Sequence, residues 1–296
     1  MATLAQRMRE HKTFYVMVSP FFVLFLVFGL FPILAAAWLG FTDWDGLNRA
    51  RWVGLDNYVR LLTDPVLAKT LVNTVYIWIG STVLTVAAAF VLAYLINEYV
   101  IVGRNLVRMI FLLPLLAAPA VVAIVMSVLF STNAGLMNAF LSWVTGDRVV
   151  FDWLASTGWI KPIIILMIAW RFLGFHMLLF IAGLQTIPRE LYDAAKVDGA
   201  GGVQVFLRVT FPMMLPILFF SATSSTVGAF QLFDEPYVLT NGTGGTDRSA
   251  EVLGTLLYRT AFHEFRLGLA SALSWVIFAL IVTFTILNSR MLRSRV

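Results

Sequence analysis

Six stretches of almost unbroken apolar residues, about 15–40, 71–97, 106–130, 159–184, 213–235 and 266–289, alternate along this chain with more polar segments. Each is long enough for a helix to cross a hydrocarbon core, which takes about 20 residues. Backbone groups in lipid must be satisfied within a helix or a closed barrel, and the alternating period of barrel strands is absent. The pattern therefore predicts an all-α integral membrane protein with six transmembrane helices. Prolines at 20, 32, 114, 119 and 216 predict kinks or helix ends.

Composition supports the same solvent. Of the 296 residues, 60% are hydrophobic and 12% charged, with a mean hydropathy of +0.86, more apolar than a soluble domain of this length. The net charge of +5 does not point to nucleic acid, because the basic residues are scattered between apolar runs and form no stripe. With no cysteine, disulfides, thiolate nucleophiles and cysteine metal sites are excluded. The basic start "MATLAQRMREHK" and the "AAA" at 35–37 imitate a signal peptide. The apolar run, however, lasts from Phe14 to Phe41, whereas a signal core is about 7–15 residues. An uncleaved first transmembrane helix is expected.

Charge in the connections sets the orientation. With a cytoplasmic N-terminus, the inner segments hold Arg7, Arg9, Lys12, Arg104, Arg108, Arg189, Lys196, Arg208, Arg290, Arg293 and Arg295. The outer ones hold Arg49, Arg51, Arg60, Lys69, Arg148, Lys161, Arg248, Arg259 and Arg266, spread over longer loops. Both termini are therefore expected inside, with cytoplasmic ends at 1–14 and 290–296, a first span at 15–40 and an external loop at 41–70. Aromatics and turn formers in "FTDWDGLNRARWVGLDNY" predict an ordered loop. Val252, Leu253, Leu256 and Leu257 fall on one face and predict a short surface helix.

"ELYDAAKVDGAG", residues 190–201, stands apart, because its charges and small residues cannot enter lipid. Pro188 suits the first turn of a helix, and Glu190 and Asp193 fall near the positive end of its dipole. Leu191, Ala194 and Ala195 share a shallow face, and Gly199 and Gly201 end the helix. A second helix is expected to follow, with Val203, Phe206 and Leu207 on one side and Pro212 as its stop. This helix–turn–helix presents a small-residue surface of the kind that fits a cleft in a soluble partner. A plain linker would need only a few residues, not about 27 with helical periodicity.

At this point the chain resembles a known family. "LQTIPRELYDAAKVDGAGGVQVFLRVTFPMMLP" is similar to the EAA loop of permease subunits in binding-protein-dependent ABC importers, with Asp193, Ala194, Ala195, Asp198, Gly199 and Ala200 at matching positions. Asp193 stands where the family most often has Glu. "VGLDNY" at 53–58 and "FDEPYVLTNGTGG" at 233–245 resemble the carbohydrate-uptake branch. The resemblance implies a type I importer permease (MetI-like) fold, with a permease core of five spans at 71–289 and a cytoplasmic coupling loop at 185–212. It also implies a cell-membrane complex whose partners are a second permease subunit, an ATPase dimer docked on Glu190 and the EAA-loop residues, and an extracytoplasmic sugar-binding protein. ATP and Mg would belong to the ATPase, and the chain itself, which has no Walker A pattern, would be no enzyme.

Within the fifth span, Ser221, Ser224, Ser225, Gly228, Gln231 and Glu235 recur every three or four residues, a stripe roughly 120° wide at about 100° per residue. Such a stripe either packs helices together or lines a path for a sugar, and both can hold. Arg171, beside Trp170 and Phe172 in the fourth span, must face protein or water, since a charge near a helix centre costs about 2.5–3.5 kcal/mol. It either pairs structurally with Glu235 or Asp234 or lines the path, and the aromatics beside it either stack on sugar rings or belong to the core. The histidines at 11, 176 and 263 are isolated, and His176 reads as a packed, hydrogen-bonded residue. Two other classes remain, a secondary transporter, which would need ion sites and repeated halves, and an intramembrane protease, which would need a Ser–His pair within the bundle.

Overall fold

The computed structural model describes residues 12–99 and 103–293. Arg7, Arg9, His11 and Arg295 of the sequence argument, with both extreme termini, lie outside the described residues. By their contacts the residues group into two units, 1–63 with 257–276, and 64–256 with 277–296. Among the described residues, five helices are long and apolar enough to cross a membrane, or six when one sharply bent pair counts as a single span.

The first unit opens with α1, Lys12–Leu39, on which no residue is buried against the rest of the chain. Its Leu26–Leu30 turn is π-helical, with Phe31 N–H donating to Leu26 O. Pro32 follows immediately, so the widened turn absorbs a residue that has no N–H and whose ring would crowd the preceding turn. The chain then makes a two-stranded antiparallel ribbon, β1 Thr42–Asp43 and β2 Arg51–Trp52, and a helix α2, Asp56–Thr63. Buried Asn57 holds the ribbon's base, its amide donating to Gly40 O at 3.1 Å and Thr42 O at 2.8 Å. Phe41 stacks on Trp52 with ring centroids 5.5 Å apart. Burial raises the Tyr58 phenol pKa. Gly268 packs so tightly that a Cβ there would sit 1.9 Å from Thr42 O. The expected ordered loop is thus a ribbon and a helix tied by one asparagine.

In the second unit the helices are α3 Pro65–Tyr99, α4 Arg104–Leu116, α5 Pro119–Leu129, α6 Leu136–Thr145, α7 Ile160–Leu184, α8 Arg189–Val197, α9 Gly202–Phe230 and α10 Asp234–Leu239. Two further helices, α11 Leu253–Tyr258 and α12 Leu267–Arg293, divide between the units. Asp64 starts α3 by accepting the Val66 N–H at 2.8 Å. α3 packs along α7 over two apolar clusters. One is centred on Ile77, Val122, Ile160, Ile164 and Met167, the other on Phe90, Met177, Phe180, Leu184 and Met214. α4 crosses α7 at Gly174, where a Cβ would meet Phe111 O at 2.1 Å.

Four expectations are corrected. The 106–130 stretch is not one straight span, because α4 and α5 meet at 95°. Ala117 and Ala118 are extended there (ψ 142° and 140°), the second as sterics directly before Pro119 favour. Pro212 does not stop a helix, since a π turn at Phe206–Thr210 lets one continuous helix run from Gly202 to Phe230. That helix also ends five residues before 235, at Phe230. Finally, the helix at 253–258 is not a surface helix, for Val252, Leu253 and Leu256 are buried.

At the N-terminal end of α3, side chains clamp the segment that precedes α11. Asn73 donates to Arg248 O and Glu251 O at 2.9 and 3.1 Å, and accepts from Lys161 Nζ at 3.3 Å. Leu253 N–H donates to Thr74 Oγ1 at 3.1 Å. Lys69 and Asp247 pair at 2.6 Å, and this lysine holds the Asp247 carboxyl below its ordinary pKa.

Candidate functional site

Two places carry the expected chemistry. The first is α8. Pro188 is its N-cap rather than a first-turn residue, Glu190 lies in the first turn and Lys196 in the last, each complementing the helix dipole. The end is a Schellman turn: Ala200 N–H donates to Ala195 O at 2.9 Å and Gly199 N–H to Lys196 O at 3.0 Å. Gly199 takes φ +76°, where a Cβ is penalised, whereas Gly201 at φ −71° begins α9 and donates its N–H to Gln204 Oε1 at 3.1 Å. Glu190, Asp193, Ala194, Asp198 and Gly199 are exposed, and Ala195 and Ala200 half-buried. Leu191 and Val197 are exposed too, the latter by 87%. The helix is held from below. Tyr192 packs against the Phe180–Met214 cluster, and its hydroxyl lies 3.4 Å from Thr210 Oγ1 in the π turn of α9.

The second is a cavity of about 540 Å³ between α3, α7, α9 and the α4–α5 bend, with the segment 231–235 completing its wall. Its volume is within the range of small-molecule sites. Five of the six stripe residues line it: Ser224, Ser225, Gly228, Gln231 and Glu235. Ser224, Ser225 and Gly228 do so from α9, as the periodicity predicts, whereas the last two arrive for a different reason. Gln231 is already the C-cap of α9, and Glu235 returns to the cavity because the chain turns and starts α10. Ser221 is not in the wall. It is fully buried, 2.7 Å from His176 Nδ1, while Ser225 Oγ lies 3.3 Å from His176 Nε2. His176 is packed and hydrogen-bonded, as expected, and also faces the cavity.

Arg171 pairs directly with Glu235 through Nη1 and Oε1, and both line the cavity, so the structural and the path-lining readings hold together. The pair leaves only 14% and 4% of the two side chains exposed. Arg171 and Thr82 belong to the wall, but Arg171 Nε and Thr82 Oγ1 themselves are sealed behind it, without a hydrogen-bond partner among the described residues. Ser81, Thr82 and Thr85 of α3 were missed in the sequence. Their signal is the spacing of buried Thr70, Thr74, Ser81 and Thr85 at helical steps, the same small-polar pattern as in α9. Phe172, Phe175 and Phe233 add aromatic faces.

In the second unit, apolar spans enclose a mostly apolar cavity with a few convergent polar groups, and an exposed capped helix precedes a cavity-lining span, as fits a membrane transport subunit. The chain belongs to the family described as binding-protein-dependent transport system inner membrane component, which matches residues 86–295. It is 32% identical over 280 residues to the lactose transport system permease protein LacF of Rhizobium radiobacter, covering 94% of this chain and 93% of that one. With the sn-glycerol-3-phosphate transport system permease protein UgpA of Escherichia coli O157:H7 it shares 30% over 288 residues, covering 95% and 94%. A bacterial ABC transporter involved in the import of the acidic polysaccharide alginate has a similar structure, with a TM-score of 0.86, 25% identity and 98% coverage of both chains. The fold is that of an ABC importer permease, a non-catalytic transport subunit of a multi-pass membrane assembly. Membership displaces the secondary-transporter and protease readings. Two serines meet the protease criterion in spacing, Ser221, which is sealed outside the cavity wall, and Ser225, which lines it, but His176 Nδ1 faces the Ser221 hydroxyl rather than a carboxylate that would orient the ring as a base.

Proposed function

We propose that this chain is the translocation subunit of an ATP-driven saccharide importer, taking up oligosaccharides or disaccharides. α8 is its contact with the ATPase dimer, and both termini are cytoplasmic. The observation that carries the reading is a mechanical continuity. The helix pinned to α8 at Thr210 is the helix that lines the cavity with Ser224, Ser225 and Gly228. From Gly202 to Ser225 that helix spans about 35 Å at about 1.5 Å per residue, roughly the thickness of a bilayer core. Closure of the ATPase dimer moves α8, α9 moves with it, and the cavity changes its wall. Glu190, Asp193, Ala194, Ala195, Asp198, Gly199 and Ala200 form the docking segment.

ATP and Mg bind to the ATPase subunits. An extracytoplasmic binding protein delivers the saccharide, a second permease subunit completes the pathway, and the exposed apolar sides of α1 meet lipid or that second subunit. The names of LacF and of the alginate importer support a saccharide cargo. The test is ATP turnover by the purified complex in nanodiscs with its binding protein and a panel of saccharides. At least one saccharide should stimulate hydrolysis several-fold, and a flat response across the panel would remove the reading.

A further inference from the structure

We infer that the cavity takes an uncharged, polyhydroxylated glycan and turns away sugar acids and sugar phosphates. This rests on the saccharide-importer reading above. Family membership does not decide the point, since one relative is named for a phosphate ester and the similar structure for an acidic polysaccharide. The wall of this chain's own cavity does.

Among the described residues Arg171 is the one Lys or Arg in that wall, and its charge is committed to Glu235. Asp234, exposed next to Glu235, adds a second carboxylate, and among the described residues the wall holds no second cation to offset it. Both ring nitrogens of His176 face hydroxyls, of Ser221 and Ser225. An entering carboxylate or phosphate would lose its hydration and gain no free cation, and buried charge is tolerated only when paired. A neutral glycan meets the opposite situation. A sugar hydroxyl, unlike an anion, needs no cation in the wall to replace its hydration. Ser224 and Gln231 add exchangeable donors and acceptors, and Phe172 and Phe233 offer apolar faces to the C–H side of a pyranose ring.

The binding protein imposes its own selectivity, so the experiment omits it. Saturation-transfer NMR on the purified permease–ATPase complex in nanodiscs would use lactose, sucrose and cellobiose as neutral probes, with digalacturonate and glycerol 3-phosphate as anionic ones. The expected result is transfer to at least one neutral disaccharide and at least tenfold weaker binding of both anions. An anion that binds as well as the best neutral sugar would overturn the inference, as would no transfer to any of the five. Asp234→Lys and Asp234→Asn alter an exposed residue. The ratio of digalacturonate to disaccharide affinity should rise in the order wild type, Asn, Lys, by at least tenfold overall, and an unchanged ratio would overturn the charge argument. Failure here is separable from failure of the underlying reading. ATP hydrolysis stimulated only by acidic saccharides would leave the importer standing and sink the neutral-glycan inference, whereas no saccharide stimulation would sink both.

Discussion

Arg171 and Glu235, 64 positions apart in sequence, meet as a buried ion pair in the wall of the internal cavity. The pairing explains how a cation is tolerated within a membrane span and why the chain turns back after α9. Removing one partner should be far worse than removing both, because a lone buried charge typically costs about 3–5 kcal/mol whereas an apolar replacement of the pair is often near neutral. Arg171→Met and Glu235→Leu alone should therefore each sharply lower the melting temperature and yield of the detergent-solubilised complex. The double variant should recover most of both. Additive losses in that cycle would mean that the pair is not coupled in the assembled protein.

The fifth-span serines should divide by what they touch. Ser221 is fully buried against His176, so Ser221→Leu overpacks the interface and should cost about 1–3 kcal/mol, seen as less assembled complex. Ser224 is exposed to the cavity. Ser224→Leu should leave the amount of complex near normal and lower uptake per complex. Equal losses of assembly for the two would show that the stripe only packs helices.

How much of this could be read beforehand follows from the range of the interactions. The spans are legible because a run of 20 or more apolar residues is a local property. α8 is legible for the same reason, as Pro188 and Gly199 bracket it within a dozen positions. The bend at Ala117–Ala118 is not, because two alanines in an apolar run look the same whether helical or extended, and only Pro119 hints at it. Periodicity also placed Gln231 and Glu235 on the helix of Ser221, since Gly228 falls in step with the stripe and no proline interrupts the run before Pro236. What returns Glu235 to the cavity is Arg171, and a contact over that separation leaves no trace in local pattern. Pro212 misled for a related reason, since a π turn just before it removes the clash that would end a helix.

Orientation is open to a clean labelling experiment, because the native chain has no cysteine. Gly244 is a poor place for a probe, being buried at φ +80° with Glu251 Cβ 3.1 Å from an added Cβ. Thr246 is exposed in the same loop, and Val197 is 87% exposed at the end of α8. Thr246→Cys should react with an impermeant maleimide in intact cells or spheroplasts, and Val197→Cys only after permeabilisation. The reverse pattern would invert the topology and put α8 out of reach of an ATPase.

The proposed docking segment, α8 and its closing turn, allows shape, backbone and bulk to be tested separately. Gly199 has φ +76° and nothing within 4 Å of an added Cβ, so a substitution there acts through backbone conformation alone. An L-residue in that region costs about 1–2 kcal/mol, but Asn tolerates it better than a β-branched residue. Gly199→Val should thus open the Schellman turn and misdirect the start of α9, while Gly199→Asn should stay near wild type. Ala194 is exposed and its neighbour Ala195 half-buried, so Ala194→Trp adds bulk to the docking face without disturbing the chain's own packing, and Ala195→Trp does both. Asp193→Glu, a longer carboxylate at an exposed position, should be tolerated. All five variants should insert in the membrane. Gly199→Val and both tryptophan variants should lose the ATPase during purification or uncouple its turnover from transport, whereas Gly199→Asn and Asp193→Glu should retain it. The deciding measurement is ATPase retained per permease, read beside substrate-stimulated hydrolysis. Wild-type retention in Ala194→Trp would mean that nothing closes over that face, and α8 would then be a connector between two spans.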